Sequence, residues 1–252
     1  MEKINMDVKL LAYTQLSGEF FDELAKNVDG VFTDDCTFIP SDGQAIALSA
    51  IRTCYSPNKP SEIVGLEGEK YFKQKATEGE GKEVDRLIRH IVGSGHTSTL
   101  EHLTYTFSVE GVSRALLAQL TRHRVGFSYS VQSQRYVKQS TDSRHGGFEW
   151  VIPEKIENDI DAERMFVQAM NRAQMAYDLL IAAGVPQEDA RAVLPNAATT
   201  NLVLTVNLRS LLDFYSKRRK GNGAQYEITE LVERLREEVV KVEQWTDEFF
   251  KN

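Results

Sequence analysis

The chain has 252 residues, is 41% hydrophobic and 27% charged, and carries a formal net charge of −7. That length supplies ample core for one large domain or two small ones, and the acidic balance argues against non-specific nucleic-acid binding, which needs a basic surface to neutralise phosphates. Two cysteines, Cys36 and Cys54, are too few for a disulfide framework or a thiolate zinc site, and no apolar run reaches membrane-spanning length. With no signal peptide at Met1, the expectation is a soluble, cytoplasmic-type protein.

Val8 to Thr14 reads as a strand, Glu19 to Lys26 as a short helix, and Pro40-Ser41-Asp42-Gly43 as a turn before a helical stretch from Ala45 to Tyr55. That stretch ends in Arg52-Thr53-Cys54-Tyr55, where Arg52 can be a plain surface charge and Cys54 a small core residue. Ser56 to Lys82, rich in Pro, Gly, Glu and Lys, reads as a surface excursion or a loosely held helix. Val84, Leu87, Ile88, Ile91 and Val92 restore helical spacing, and Gly93 ends that helix. Gly95 to His102 follows. A zinc motif H-x-x-E-H ending at His102 would need histidine where Ser98 stands, and H-E-x-x-H is absent, so no metal site is expected. Glu101 and His102 then open a strand marked by Leu103, Tyr105, Phe107 and Val109.

Val112, Ala115, Leu116, Gln119 and Leu120 form one face of a helix, with Arg122 and His123 in its last turn and Gly126 as its stop. Phe127, Tyr129 and Val131 then alternate with Ser128, Ser130 and Gln132 in strand periodicity. The segment Thr121 to Lys138 packs Arg122, Arg124, Arg135, His123, three serines and two glutamines around this helix-to-strand junction. Cations complement a helix C-terminus, which is sufficient for Arg122 and His123 alone. Arg124 and Arg135 fall outside the helix, with hydroxyls between them. That is the donor set of a phosphate, which takes guanidinium forks and short neutral donors on its oxygens.

Arg144 to Trp150 reads as a loop, followed by a long helix whose buried face is Ala162, Met165, Phe166, Ala169, Met170, Ala173, Tyr177, Leu180 and Ile181; Gly184 and Pro186 close it. A helix starting near Pro186 carries Arg191, whose charge among Ala190, Ala192 and Val193 calls for a carboxylate or a ligand phosphate. Leu202, Leu204 and Val206 make a strand delivering Asn207 and Arg209 to its end. Leu211, Leu212 and Tyr215 begin a helix ending in Lys217-Arg218-Arg219-Lys220, cations that suit its C-terminus. Ile228, Leu231, Val232, Leu235, Val239, Val242 and Trp245 form a last amphipathic helix for core or subunit packing. Neither G-x-G-x-x-G nor G-x-x-x-x-G-K-[ST] occurs, so no Rossmann dinucleotide site or P-loop is available.

Arg122-His123-Arg124, eight residues, then Ser133-Gln134-Arg135-Tyr136 resembles the R-H-R-x7-S signature of flavin-dependent thymidylate synthases. Three further segments resemble that family in order: Gly95 to His102, Ala190-Arg191-Ala192-Val193-Leu194-Pro195, and Thr205 to Leu211 running on to Arg218 and Ala224-Gln225-Tyr226-Glu227-Ile228. The resemblance runs from about Ala45 to Ile228. It implies an α+β fold with a twisted, largely antiparallel sheet flanked by helices, one catalytic domain over residues 1–252, and a homotetramer with FAD between subunits. The implied reaction converts dUMP to dTMP with 5,10-methylenetetrahydrofolate as carbon donor and NADPH as reductant, FAD carrying the hydride and no cysteine acting as nucleophile.

Motif positions then imply roles. Gln119, Arg122, Ser133, Gln134, Arg135, Arg191 and Arg218 match dUMP-binding positions. Ser98, Glu101, Arg122, His123, Arg124, Asn207, Arg209 and Asp213 match flavin positions, and His96 lies in the loop that lines flavin and folate. Arg218 matches the arginine at the uracil edge, where a fixed positive charge stabilises an ionised ring nitrogen, and it is the expected catalytic residue. The chain departs from the pattern in one extra residue between Arg124 and Ser133, in Val131 where many members have Glu or Gln, and in Asp213 for a common asparagine. The alternatives are a non-catalytic nucleotide-binding regulator that keeps the arginines without flavin, and an RNA-binding module, which the acidic balance disfavours.

Overall fold

A four-stranded antiparallel sheet in the order β1-β2-β4-β3 is built from Asp7–Tyr13 (β1), Thr104–Ser113 (β2), Phe127–Val131 (β3) and Thr199–Asn207 (β4). The computed structural model describes residues 5–28 and 40–251, so Cys36 lies outside the described residues. Strict alternation sends Tyr105, Phe107 and Val109 of β2 and Leu202, Leu204 and Val206 of β4 into the interior, the period-2 pattern of a sheet with one packed face. Thr106 and Thr205 share a hydroxyl hydrogen bond of 2.9 Å, and Gln132 N donates to Asn201 O at 2.9 Å just past the end of β3. These contacts set the β2–β4 and β4–β3 registers.

Packing divides the chain into two compact units. The first comprises Met1–Leu11, Thr106–Thr205 and Phe214–Glu238. It holds Arg114–Leu120 (α5), Glu154–Glu157 (α6), Ile160–Ala182 (α7) and Gln187–Ala190 (α8). The second comprises Ala12–Tyr105, Val206–Asp213 and Val239–Asn252. It holds Gly18–Asn27 (α1), Asp42–Tyr55 (α2), Ile63–Gly68 (α3), Glu83–Gly93 (α4) and Asp247–Phe250 (α11). Leu208–Arg218 (α9) and Tyr226–Val242 (α10) run through both ranges.

In the first unit Ser113 caps α5, its hydroxyl accepting from Leu116 N at 3.0 Å. The same residue donates through N and Oγ to the Glu227 carboxylate in the first turn of α10, at 2.7 and 2.6 Å. Burial raises the Glu227 pKa above the ordinary carboxylate value against these two hydrogen bonds. Along α7 the core takes Met170 and Tyr177, with Phe148 and Ala198 packed on Met170. The expected face is wider than the buried one, since Met165 is 63% exposed and Ala169 is exposed too, and outside that face Met175 and Leu179 are also exposed. Apolar residues cover more of the α7 circumference than the unit has side chains to cover.

In the second unit Ser41 caps α2 in a reciprocal capping box with Gln44. Asp42 and Gly43, expected in a turn, therefore belong to the helix. The buried Glu243 carboxylate accepts from Ser41 Oγ at 2.5 Å, from Gly43 N at 2.9 Å and from Trp245 Nε1. A Cβ at Gly43 would meet that carboxylate at 2.5 Å, which explains the glycine. Trp245 accordingly sits in a 3-10 turn past the end of α10. Of the two alternatives for Ser56 to Lys82, helix describes residues 63–73, where α3 and a π-helical turn bury Ile63, Val64, Tyr71 and Phe72. Arg52 pairs at 2.5 Å with Glu67, which also accepts from Ser56 Oγ at 2.6 Å and Asn58 Nδ2 at 3.0 Å, so Arg52 is a structural cation. Cys54 is exposed and not a core residue.

Candidate active site

The helix-to-strand junction of the first unit forms with two shifts: Val112, expected on the helix face, belongs to β2, and the helix ends sooner than expected. Thr121 caps α5, so Arg122 and His123 stand in the turn beyond the helix and not in its last turn. Gly126, at φ +72°, lets the chain reverse into β3 in a conformation that a side chain would strain. The turn is held from inside by Tyr129, whose hydroxyl bridges Leu120 O at 3.0 Å and His123 O at 2.5 Å. Burial pushes the Tyr129 phenol well above its ordinary range, so it remains a neutral donor. His123 packs edge-on against Phe214 at 4.7 Å, and Phe127 completes the cluster at 5.6 Å from Phe214.

Arg218, the last residue of α9, donates from Nε to His123 Nε2 at 3.2 Å. A guanidinium can only donate, so His123 accepts through an unprotonated Nε2. Thr229 Oγ1 donates to Arg218 O at 3.0 Å and ties the end of α9 to α10. Arg219, whose N donates to Tyr215 O at 2.8 Å, and Lys220 directly follow the last helical residue, at the C-terminus their charges complement.

Ser133 to Arg135 follow β3 as a turn whose backbone is fixed at both ends. Arg114 Nη2 donates to Gln132 O at 2.9 Å, and Gln187 Nε2 donates to Arg135 O. Within the turn Arg135 N donates to Ser133 Oγ at 3.2 Å. Arg135 itself forms an ion pair with Glu188 at 2.9 Å. Arg191 finds no carboxylate among the described residues; its Nε donates to Glu188 O at 2.9 Å. The exposed side chains of Arg122 and Arg124 make no hydrogen bond or ion pair among the described residues, although the Arg124 carbonyl accepts from Phe127 N at 3.3 Å. Burial, and secondarily the charge of Arg191, lower the Arg114 pKa, and its buried Nε has no partner among the described residues. Gln119, half-buried, reaches Gln225 Oε1 at 3.5 Å, and Gln134 is half-buried in the turn. Arg135 apart, the junction thus gathers guanidinium groups that no carboxylate of the described residues matches, in a chain that is acidic overall.

In the second unit Tyr55 Oη and His96 Nδ1 are 2.6 Å apart with their rings stacked. Glu101 and His102 belong, with Ser98, to a 3-10 helix, Thr97–His102, so the first two do not open β2. Glu101 pairs with Arg209, which lies in the first turn of α9 instead of at the end of β4. A cation there runs against the helix dipole, and the Glu101 carboxylate offsets it. Asn207 Oδ1 accepts from Ser210 N at 2.9 Å, so this side chain also starts the helix. Asp213 is exposed on α9.

A family model described as thymidylate synthase complementing protein matches residues 37–243. A flavin-dependent thymidylate synthase of Clostridium tetani is 36% identical over 215 residues, covering 79% of this chain and 78% of the relative. The chain belongs to the flavin-dependent thymidylate synthase family. Another family member, from Geobacter sulfurreducens, is 40% identical over 198 residues, covering 78% of this chain and 77% of its own. The flavin-dependent thymidylate synthase fold is also that of a solved structure, thymidylate synthase X from Helicobacter pylori with FAD and dUMP. It aligns with a TM-score of 0.65 at 24% identity over 98% of this chain and all of that one. The α+β expectation with an antiparallel sheet is met. Sequence reasoning missed Arg114, Tyr129, Gln187 and Glu188. A cation at the first helical position, unfavourable for the dipole, was the one available signal for Arg114.

Proposed function

We propose that this chain carries out its family's reaction, the reductive methylation of dUMP to dTMP with 5,10-methylenetetrahydrofolate and NADPH. The observation that carries the reading is the set of guanidiniums at the junction, Arg122, Arg124 and Arg191, that no carboxylate of the described residues neutralises. With Arg135 and the Ser133 hydroxyl they form a donor set for the dUMP phosphate, assisted by Gln119 and Gln134. Arg122, His123 and Arg124 also supply donors suited to a dinucleotide diphosphate, so the residues present fit FAD; Ser98, Glu101, Asn207, Arg209 and Asp213 are the further proposed contacts, with His96 lining flavin and folate. FAD, when bound, supplies the hydride-carrying chemistry that no side chain can.

Arg218 is the proposed catalytic residue. The His123 Nε2 contact holds its Nε, leaving the two Nη groups to face the uracil edge, where positive charge stabilises the ionised ring nitrogen and enriches the attacking carbon in electron density. No cysteine takes part. We further propose that the whole chain works as one catalytic domain, as a homotetramer with FAD between subunits, in the cytoplasm. No helix of the described residues is long and apolar enough to cross a membrane.

The test is Arg191→Ala. Calorimetry on the flavin-loaded protein should give a dUMP affinity reduced about tenfold or more, as for a lost charge-assisted hydrogen bond, with FAD retained. Equal loss of both ligands would remove the phosphate assignment. A purified protein without flavin absorbance would favour the non-catalytic regulator.

A further inference from the structure

We propose that Glu188 is an internal stand-in for the nucleotide phosphate, its carboxylate holding the Arg135 guanidinium that the phosphate requires, so that the ion pair and phosphate binding exclude one another. The inference rests on the assignment of Arg135 to the dUMP phosphate. A single oxygen, Glu188 Oε2, accepts from Arg135 Nε at 3.0 Å and from Nη2 at 2.9 Å. That edge of the guanidinium is one a phosphate oxygen uses. The backbone carbonyl of the same residue takes Arg191 Nε at 2.9 Å. One residue therefore engages two of the arginines assigned to the phosphate, one through its side chain and one through its backbone.

Exposure decides whether such a pair can be exchanged. The Arg135 and Glu188 side chains are 52% and 49% exposed, against 21% and 13% for the structural pair Arg52 and Glu67. Water competes for the first pair and holds its contribution low. Glu67 keeps two further donors, whereas the Glu188 carboxylate has only Arg135 among the described residues. The turn does not depend on the ion pair for its shape. Arg114 holds Gln132 O, Gln187 holds Arg135 O, and Tyr136 N and Val137 N both donate to Ser133 O, at 3.2 and 2.9 Å. The Arg135 side chain can exchange a carboxylate for a phosphate while its backbone stays in place. Glu188 then lowers the affinity for any ligand that brings a phosphate to Arg135 and leaves a ligand without one unaffected.

The experiment uses the flavin-loaded protein and measures dUMP by calorimetry and deoxyuridine by competition. Glu188→Gln should bind dUMP about two- to fivefold more tightly, the scale of an exposed ion pair, with deoxyuridine unchanged. Asp189→Asn removes a charge one residue away on the same helix, from a side chain with no guanidinium partner among the described residues, and should leave dUMP binding unchanged. Unchanged or weaker dUMP binding by Glu188→Gln, or an equal gain in Asp189→Asn, overturns the proposal. Arg135→Ala separates the two layers. If it weakens dUMP binding while Glu188→Gln fails to tighten it, only the stand-in role falls. If Arg135→Ala binds dUMP normally, the phosphate assignment falls and the stand-in falls with it.

Discussion

Replacing Arg218 by lysine separates a catalytic arginine from a helix-end cation. Lysine keeps the positive charge at the end of α9, and the tie from Thr229 Oγ1 goes to the backbone carbonyl, which the substitution does not touch. The structural loss is the Nε hydrogen bond to His123 Nε2 at 3.2 Å. A hydrogen bond of this kind contributes about 1 kcal/mol net, or 1.5–3 where the donor is charged. For a chain of this size each 1 kcal/mol corresponds to roughly 2–4 °C in melting temperature. What lysine cannot supply is the planar pair of Nη groups directed by that anchor. Removing one preorganised donor at a developing charge costs about 100- to 1,000-fold in turnover. That exceeds what a modest loss of stability produces in a protein that remains folded at the assay temperature. The assay is dTMP formed at saturating dUMP, folate and NADPH, beside flavin absorbance and a thermal melt. A hundredfold loss with flavin retained supports the role. Turnover within a fewfold of the unaltered protein refutes it, as does a loss that tracks the release of flavin.

Two other residues give independent tests. Tyr129→Phe removes the donor shared by Leu120 O and His123 O, and should cost about 1–2 kcal/mol by chemical denaturation and weaken dUMP binding, because the turn carrying Arg122 to Arg124 loses its internal brace; unchanged stability and affinity together would show the bridge to be dispensable. Burial alone would raise the Glu67 carboxyl, but hydrogen bonds from Ser56, Arg52 and Asn58 outweigh it and hold the group below its ordinary 4.5. Its stabilising contribution is therefore full above that value and lost as pH falls through the lower folded one. Glu67→Gln should melt below the unaltered protein at neutral pH, by a gap that narrows as pH falls below the ordinary 4.5 and through the lower folded value, and a gap that stays constant across the acid range would contradict the assignment.

Much of this arrangement was legible in the sequence because local rules agreed with the fold. Alternation fixed β3, spacing of three and four fixed α4, and the arginines of the junction stood out by composition. The misreadings share a cause, since periodicity reports which side chains are apolar and not which are covered. Met165 lies on a helix with more apolar surface than its unit buries, whereas Ile63, Val64, Tyr71 and Phe72 are buried within a stretch whose charge and glycine content conceal them. Arg209 was placed at a strand end because the chain passes from Asn207 into α9 without a loop. Gln187 and Glu188 act on Arg135, more than fifty positions away, and Tyr129 acts through the carbonyls of Leu120 and His123 across the turn, contacts that no periodicity encodes.

The hydrogen bonds from Ser113 to Glu227 span 114 positions of the chain. Ser113 can cap α5 alone, but its own amide and hydroxyl are satisfied only when the first turn of α10 arrives. At 5–20 residues per second, a ribosome needs on the order of ten seconds to supply the intervening segment. Until that segment is supplied, the start of α5 lacks the carboxylate that accepts from the Ser113 amide and hydroxyl. A chain truncated before Glu227 would carry both arginines of the Arg122-His123-Arg124 segment without the anchor that fixes the start of the helix before it.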